Sequence, residues 1–273
     1  MKMNDITASV IDSFSQTEDP RLQEILSSLV KHLHAFAQDV KLTEAEWFRG
    51  IEFMTAVGQK CDDKRQEFIL LSDVLGLSML TVSMNNDRPK ACTESTVFGP
   101  FYVDNAPHYE NGEDVSNGAT GTPCVVQGSV KNSHGQPIAN AVIDVWQADD
   151  EGFYDVQKAN LSHAQARGVL HSRSDGTFNF NSIVAEAYPI PMDGPVGSML
   201  EATHRSPWRP AHLHFMIRAD GYDTLITHVF KKGDPYLTSD PVFGVKESLV
   251  ADWVTGEDGL TTLHFDFVLN AAQ

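Results

Sequence analysis

Two histidines separated by one residue, His212 and His214, are the side chains of this sequence best placed to do chemistry. Successive side chains of a strand point to opposite faces of a sheet, so these two imidazoles would share one face while Leu213 points to the other. Two imidazoles on one face can chelate a single metal ion. An isolated pair of this kind is more often an ordinary feature of a sheet, so the metal hypothesis depends on its neighbours.

Two tyrosines, Tyr154 and Tyr188, are placed where further ligands would be expected. The chain has only six tyrosines, and these two lie in the long connections 149–170 and 185–208. Ordered connections of this length usually carry function. Taken alone, either tyrosine would be interpreted as a core or rim aromatic whose hydroxyl has a local partner.

Two tyrosines and two histidines together form a chemically specific set of ligands. Phenolate is a hard oxygen donor and imidazole suits several transition metals, so the mixture favours ferric iron over zinc. The alternative is zinc, bound by the two histidines and a carboxylate such as Asp144 or Asp193.

The first part of the chain has the apolar periodicity of helices. Asp19-Pro20 is typical of an N-cap followed by the first helical turn, and Thr43-Glu44-Ala45-Glu46 is a capping box. A third apolar stripe runs over residues 68–79. Residues 19–85 are therefore predicted to be helical.

From Cys124 onward the apolar pattern has a period of two and turn signals recur, which is typical of a β-sandwich. The predicted strands cover 124–130, 141–147, 178–180, 212–218, 224–230 and 263–269. The expected fold is mainly β with helices, in which a helical region precedes a sandwich.

The composition disfavours several classes of partner. The chain of 273 residues carries 20 basic and 37 acidic side chains, for a formal net charge of −17. Nucleic acids and anionic membranes attract clustered Lys and Arg instead. No apolar stretch reaches the roughly 20 residues of a membrane helix, the N-terminus lacks the apolar core of a signal peptide, and the three cysteines form no CxxC pair. We expect a cytoplasmic protein without membrane insertion.

The motifs around the candidate ligands are similar to those of a known family. Gly152-Phe153-Tyr154, Tyr188-Pro189-Ile190-Pro191 and Arg209-Pro210-Ala211-His212-Leu213-His214, in this order and spacing, resemble the intradiol ring-cleaving dioxygenases. The resemblance extends over nearly the whole chain. It implies a helical linker and dimerisation region over 1–103 and a β-sandwich catalytic domain over 104–273.

The resemblance implies a role for each of these residues. Tyr154, Tyr188, His212 and His214 would bind one non-haem Fe(III) per subunit. Tyr188 would also be catalytic, as the ligand that leaves the metal and takes a proton from the diol, and Arg209 would stabilise the anionic ring. Dioxygen would then cleave the bond between the two hydroxyl-bearing carbons. The family further implies a homodimer formed through the N-terminal helices, with bound phospholipid.

Other segments indicate the ring that is cleaved. Residues 70–73, 93–101 and 239–246 resemble the branch acting on hydroxyquinol, benzene-1,2,4-triol, more than the catechol or chlorocatechol branches. The product would be 3-hydroxy-cis,cis-muconate or its tautomer maleylacetate. The pocket residues implied by this branch are Leu70, Asp73, Val97, Phe98, Gly99, Pro100, Phe101, Ile190, Pro191, Arg209, His228 and Val242.

Two of these pocket residues have a second interpretation. Asp73 would accept a hydrogen bond from the third ring hydroxyl, whereas without the resemblance it would be a solvated helix residue. Catechol-cleaving relatives carry glutamine at the position of His228, so this histidine either belongs to the hydroxyquinol pattern or fills space with one ring nitrogen bonded.

Other functions stay open at this point. Cleavage of catechol or chlorocatechol is the nearest alternative. A β-sandwich binding module would share the strands and turns without a metal, and a zinc hydrolase would use the histidine pair. Colour separates an iron enzyme from the binding module and the zinc hydrolase, because phenolate bound to Fe(III) makes a protein red-brown whereas a zinc or metal-free protein is colourless.

Overall fold

The computed structural model describes residues 3–62 and 65–272. The chain forms two compact units, Met1–Ala56 and Val57–Gln273. The division at residue 103 into a helical and a sandwich region stays a prediction.

The second and third helices begin where the sequence predicts, and the first precedes the predicted helical region. Helix α1 spans Met3–Asp12, α2 spans Pro20–Asp39 and α3 spans Glu44–Lys60. The Asp19 carboxylate accepts the first free N–H groups of α2. The backbone N–H of Thr43 donates to the Glu46 carboxylate at 2.9 Å, and the backbone N–H of Glu46 donates to the Thr43 hydroxyl at 3.3 Å. Both predicted caps are confirmed.

Helices α2 and α3 leave large apolar side chains on the surface of the single chain. These side chains are between 45% and 56% exposed. They are Leu22, Ile25, Leu29, Leu33 and Phe36 on α2 and Trp47, Phe48, Ile51 and Met54 on α3. Large apolar side chains left exposed along two helices indicate an interaction site.

The third apolar stripe is divided between two short helices. Helix α4 spans Glu67–Val74 and α5 spans Leu77–Asn85. Gly76 separates them with a left-handed backbone, φ 75°, which glycine adopts without steric cost. No single helix of the described chain is both long and apolar enough to cross a membrane; α4 and α5 pass on length and composition only as a pair, and that pair is bent by 76°.

Nine of the eleven strands of the described chain form the two sheets of the predicted sandwich. One sheet has the order β10-β11-β1-β4, the other β3-β2-β7-β8-β9, and β5 pairs with β6 alone. The strands are β1 Pro123–Asn132, β2 Val142–Trp146, β3 Arg167–His171, β4 Thr177–Ile183, β5 Tyr188–Pro189, β6 Trp208–Arg209, β7 His212–Arg218, β8 Leu225–Lys231, β9 Val250–Ala251, β10 Trp253–Thr255 and β11 Thr261–Leu269, with helix α6 at Pro195–Ala202. All six predicted strands are present, while β3, β5, β6, β9, β10, α1 and α6 were not predicted.

Strand β7 lies in the middle of the five-stranded sheet and is buried on both faces. Leu213, Phe215 and Ile217 belong to the hydrophobic core between the two large sheets. His212 and His214 point to the opposite face, as strand alternation predicts. That outer face is where the candidate ligands meet.

Candidate metal centre

The four predicted ligands converge on one buried point. The Tyr154 hydroxyl lies 2.8 Å from His214 Nε2 and 3.4 Å from the Tyr188 hydroxyl. His212 Nε2 lies 3.2 Å from His214 Nε2. None of the four side chains is more than 6% exposed. Residues distant in sequence therefore present two phenol oxygens and two imidazole nitrogens to the same place.

The spacing of these donors fits a shared metal ion. Ligand atoms about 2 Å from one ion are roughly 3 Å from each other, and the observed separations of 2.8, 3.2 and 3.4 Å agree with that. The donors are also of the types that suit a hard, high-valent transition metal.

Burial sets the charge of these donors. It lowers the pKa of His212 to about 3, and the nearby Arg209 cation acts in the same direction. The pKa of His214 is also well below its usual value, chiefly because the ring is buried. Both imidazoles are therefore neutral, which is the form that binds metals. Burial and the adjacent Tyr188 phenol raise the pKa of Tyr154 well above its usual value, so a phenolate here requires a nearby cation.

Tyr154 is held by the loop around it. Its backbone N–H donates to the Gln157 side chain at 2.9 Å, and the next residue, Asp155, forms a buried ion pair with Arg167. Arg167 also donates to the backbone carbonyl of Phe101 at 2.9 Å. The Phe101 ring stacks on the Tyr154 ring, with centroids 4.4 Å apart and 24° between the planes.

Tyr188 and Arg209 are neighbours because β5 pairs with β6. The two residues lie directly opposite each other in that register, and Arg209 Nη1 is 3.5 Å from the Tyr188 hydroxyl and 3.2 Å from His212 Nε2. Burial alone would lower the pKa of Arg209, but the attraction of Asp240 and of the phenols outweighs it and raises that pKa. The guanidinium is thus a permanent cation beside the donors.

Asp240 balances this cation. Its carboxylate accepts from Arg209 Nε at 3.1 Å, and both side chains are buried. It also accepts from the backbone N–H of Gly244 at 2.9 Å. Burial would raise the pKa of Asp240, but the Arg209 charge and these hydrogen bonds lower it below its usual value. Asp240 lies within 239–246, one of the segments that resemble the hydroxyquinol branch, but the sequence predicts no role for it.

A cavity of about 700 Å³ opens beside the donors, lined by Tyr188 and by ten of the twelve predicted pocket residues. These ten are Leu70, Asp73, Val97, Gly99, Pro100, Phe101, Ile190, Pro191, Arg209 and Val242. Arg65, Glu67, Tyr102 and Lys158 also line it and were not anticipated from the sequence.

Phe98 and His228 lie elsewhere. Because Val97 and Gly99 face the cavity, Phe98 between them points away, and its ring packs against Tyr102 and Trp146. His228 is fully buried behind the histidine pair, with ring centroids 4.7 Å from His212 and 4.1 Å from His214. Neither ring nitrogen of His228 forms a hydrogen bond within the described chain, although the backbone of Val97 lies near the ring. Substrate contact by these two residues stays a prediction.

Asp73 is buried rather than solvated, with 6% of its surface exposed. Burial raises its pKa, and a hydrogen bond with Ser78 and the charge of Arg209 only partly oppose that rise. The interpretation of Asp73 as a solvated helix residue is therefore wrong, because the last turn of α4 faces the cavity.

The carboxylates of the zinc alternative are engaged elsewhere. Asp144 pairs with Arg218 and lies 3.4 Å from the Tyr102 hydroxyl. Asp193 pairs with Lys60 and Arg65. The described residues thus assemble two tyrosines, not a carboxylate, around the histidine pair.

The Arg209–Asp240 pair leads to a test of stability. Asp240→Ala should lower the free energy of unfolding by about 3–5 kcal/mol, because it leaves a buried guanidinium uncompensated. Asp252→Ala, which breaks an exposed pair with Lys232, is the matched control and should cost less than about 1 kcal/mol. Denaturant unfolding followed by circular dichroism measures both values, and equal losses would contradict this account.

Comparisons with known proteins identify the family. Residues 97–271 match the family model described as "Dioxygenase", and residues 19–93 match "Catechol dioxygenase N terminus". The chain is 62% identical to a 6-chlorohydroxyquinol 1,2-dioxygenase of Cupriavidus pinatubonensis, over 98% of this chain and 97% of that protein. It is 52% identical to a hydroxyquinol 1,2-dioxygenase of Rhodococcus opacus, over 93% and 85% of the two chains.

Solved structures give the same result. The crystal structure of hydroxyquinol 1,2-dioxygenase from Pseudomonas putida DLL-E4 superposes with a TM-score of 0.93 at 46% identity, and the match covers 99% of both chains. Relatives of this similarity, matched over nearly their whole length, share the family and not only the fold. The chain belongs to the intradiol ring-cleavage dioxygenase family.

Proposed function

We propose that this protein cleaves hydroxyquinol with dioxygen, between the two adjacent hydroxyl-bearing carbons. Both oxygen atoms enter the product, 3-hydroxy-cis,cis-muconate, whose tautomer is maleylacetate. The observation that carries the proposal is the buried set of two phenol oxygens and two imidazole nitrogens beside a cavity that the buried Asp73 carboxylate lines. The names of the most similar relatives support the same substrate class.

The proposed cofactor is one Fe(III) per chain, held by Tyr154, Tyr188, His212 and His214. Their neutral imidazoles and closely spaced donor atoms suit such an ion. Iron, when bound, supplies a Lewis acid that keeps phenols ionised and draws electron density from a bound diol.

Tyr188 and Arg209 are the proposed catalytic side chains. Tyr188 lines the cavity, so as a phenolate it can take a proton from a diol bound there. Arg209 lies 3.5 Å from that hydroxyl and provides a fixed positive charge for the anionic ring. Asp240 keeps the guanidinium in position.

Asp73 is the proposed determinant of substrate preference. Its carboxylate lines the same cavity as Tyr188 and Arg209, and apolar side chains such as Leu70, Val97 and Val242 form another part of the wall. A third ring hydroxyl would give this buried acceptor a further donor beside Ser78, whereas catechol has no hydroxyl to do so. Chlorinated hydroxyquinols are the second candidate substrates, because one relative is named for such a compound and they keep the third hydroxyl.

The exposed apolar side chains of α2 and α3 support a proposed homodimer formed through the N-terminal helices, with phospholipid as a further ligand. Burying these side chains against a second chain or acyl chains would remove them from water. Sedimentation should give the mass of two chains, and a monomer at micromolar concentration would contradict the dimer. Mass spectrometry of an organic extract tests for lipid.

A cytoplasmic location stays a prediction.

Oxygen uptake with hydroxyquinol, catechol and their chlorinated forms tests the proposed reaction. The purified protein should be red-brown, contain one iron per chain and place both atoms of labelled dioxygen in the ring-opened product of hydroxyquinol. His214→Ala should lose iron, colour and turnover, whereas His134→Ala, in an exposed turn, should keep all three. A colourless active protein, or a coloured active His214→Ala variant, would contradict the proposal.

Asp73→Ala tests the substrate preference. The ratio of kcat/KM for hydroxyquinol to that for catechol should fall about 5- to 150-fold, which corresponds to the roughly 1–3 kcal/mol lost when a buried hydrogen bond is removed. Val242→Ala, on the apolar wall, is the control and should change both substrates in parallel. Equal losses on both substrates in Asp73→Ala would exclude the proposed role.

The same carboxylate predicts a dependence on pH. The pKa of Asp73 is raised by burial and by the charge of Asp240, against the opposing effects of Ser78 and Arg209. Because protonation removes the charged acceptor, the preference for hydroxyquinol should be greatest above this raised pKa and fall as the pH decreases through it. The measured quantity is the ratio of kcat/KM for hydroxyquinol to that for catechol. Enzyme groups whose titration affects both substrates equally do not change this ratio. Asp73→Asn should make the ratio independent of pH, and a constant ratio in the wild type would contradict the prediction.

A further inference from the structure

The two histidines of the site are oriented in different ways. His212 Nδ1 lies 2.6 Å from the backbone carbonyl of Pro210, so it donates to that oxygen and leaves Nε2 for a metal. His214 Nδ1 is buried and has no hydrogen-bond partner in the part of the chain that the structure describes. A metal-binding histidine usually donates its second N–H to a fixed acceptor, which sets the ring plane. The plane of the His214 ring must therefore be set by contacts other than a hydrogen bond from Nδ1.

The strand registers place His214 between two ring side chains. Trp146 on β2 and His228 on β8 both lie directly opposite His214 on β7, so the three side chains share one face of the sheet. The Trp146 indole lies nearly parallel to the imidazole, with centroids 4.7 Å apart and 17° between the planes. His228 meets the same ring at a steep angle, 69°.

Gly99 closes the edge of the His214 ring. Its φ is +79°, and a Cβ at this position would lie 3.1 Å from His214 Cε1 and 3.9 Å from Nδ1. The backbone of Gly99 thus approaches the side of the ring where a hydrogen-bond acceptor would otherwise be expected. The imidazole is confined by packing on a face and an edge.

Trp146 is itself firmly fixed. It is 1% exposed, and it makes edge contacts with Phe98 at 5.8 Å and Tyr102 at 5.2 Å. Its Nε1 is buried without a hydrogen-bond partner among residues 3–62 and 65–272. A buried, unpaired indole N–H is unfavourable, and phenylalanine would avoid it. The wide planar indole is therefore present in spite of its polar atom.

We propose that Trp146 is the positioning residue of His214. Its indole sets the plane of the imidazole by stacking, in place of the hydrogen bond that orients His212. This inference rests on the proposed role of His214 as an iron ligand. It assigns Phe98 the task of supporting the indole.

Trp146→Leu and Trp146→Phe test the inference in the iron-loaded full-length protein. The leucine variant loses the planar surface, so iron should pass to an excess of chelator about ten- to a hundredfold faster, and the visible absorption band should shift. The phenylalanine variant keeps a smaller ring against the imidazole and should lie between the wild type and the leucine variant on both measures. Neither readout depends on turnover.

Phe178→Leu is the matched control. Phe178 is equally buried but packs in the sandwich core against Phe180, Phe215 and Phe267. This variant should lose stability without losing iron faster at a temperature where it is folded. Leucine at Trp146 with the iron-loss rate and absorption band of the wild type would overturn the inference.

A second variant covers the case in which Trp146→Leu does not fold. Gly99→Ala should press a methyl group toward His214 Cε1, which should shift the absorption band and speed iron loss while Trp146 is intact. An unchanged band and rate would overturn the packing account. A wild-type protein that binds no iron would overturn both this inference and the proposed function, whereas an iron-loaded wild type with unaffected variants would overturn the inference alone.

Discussion

Strand β7 must satisfy two environments at once, and the site depends on that constraint. One face of the strand contributes Leu213 and Phe215 to the core between the sheets, and the other contributes His212 and His214 to the donor set. A register slip of one residue would put the imidazoles into the core and the apolar side chains into the site. The packing that fixes the fold therefore also fixes the position of half the ligands.

Two buried ion pairs hold the segments that carry the two tyrosines. Arg209 with Asp240 and Arg167 with Asp155 lie beside Tyr188 and Tyr154, respectively. An isolated buried charge is costly, whereas a paired and hydrogen-bonded one is tolerated and geometrically specific. Both tyrosines lie outside the two large sheets. Each is therefore next to a buried ion pair that joins segments distant in sequence.

Much of the fold was predictable because local patterns report local structure. Alternating apolar residues located six strands, and capping residues located the starts of α2 and α3. The break at Gly76 was not predictable, since an isolated glycine is compatible with a helix, and the two-residue strands β5 and β6 are too short to show a period. The grouping of two tyrosines and two histidines in one site was predicted from their spacing together with the family resemblance.

Other features of the site depend on pairings that a single sequence does not contain. Asp240 follows Arg209 by 31 residues, and nothing near either residue indicates that they meet. The stack of Trp146 on His214 depends on the register between β2 and β7. Phe98, next to lining residues in sequence, points away because neighbouring side chains diverge.

Phe101 contributes both to the cavity and to the surroundings of Tyr154. Its ring is part of the cavity wall and is also the stacking partner of Tyr154. A substitution that reshapes this wall for a different ring therefore also changes the surroundings of a donor atom. The shape of the cavity and the environment of the Tyr154 oxygen are thus coupled through one phenyl ring.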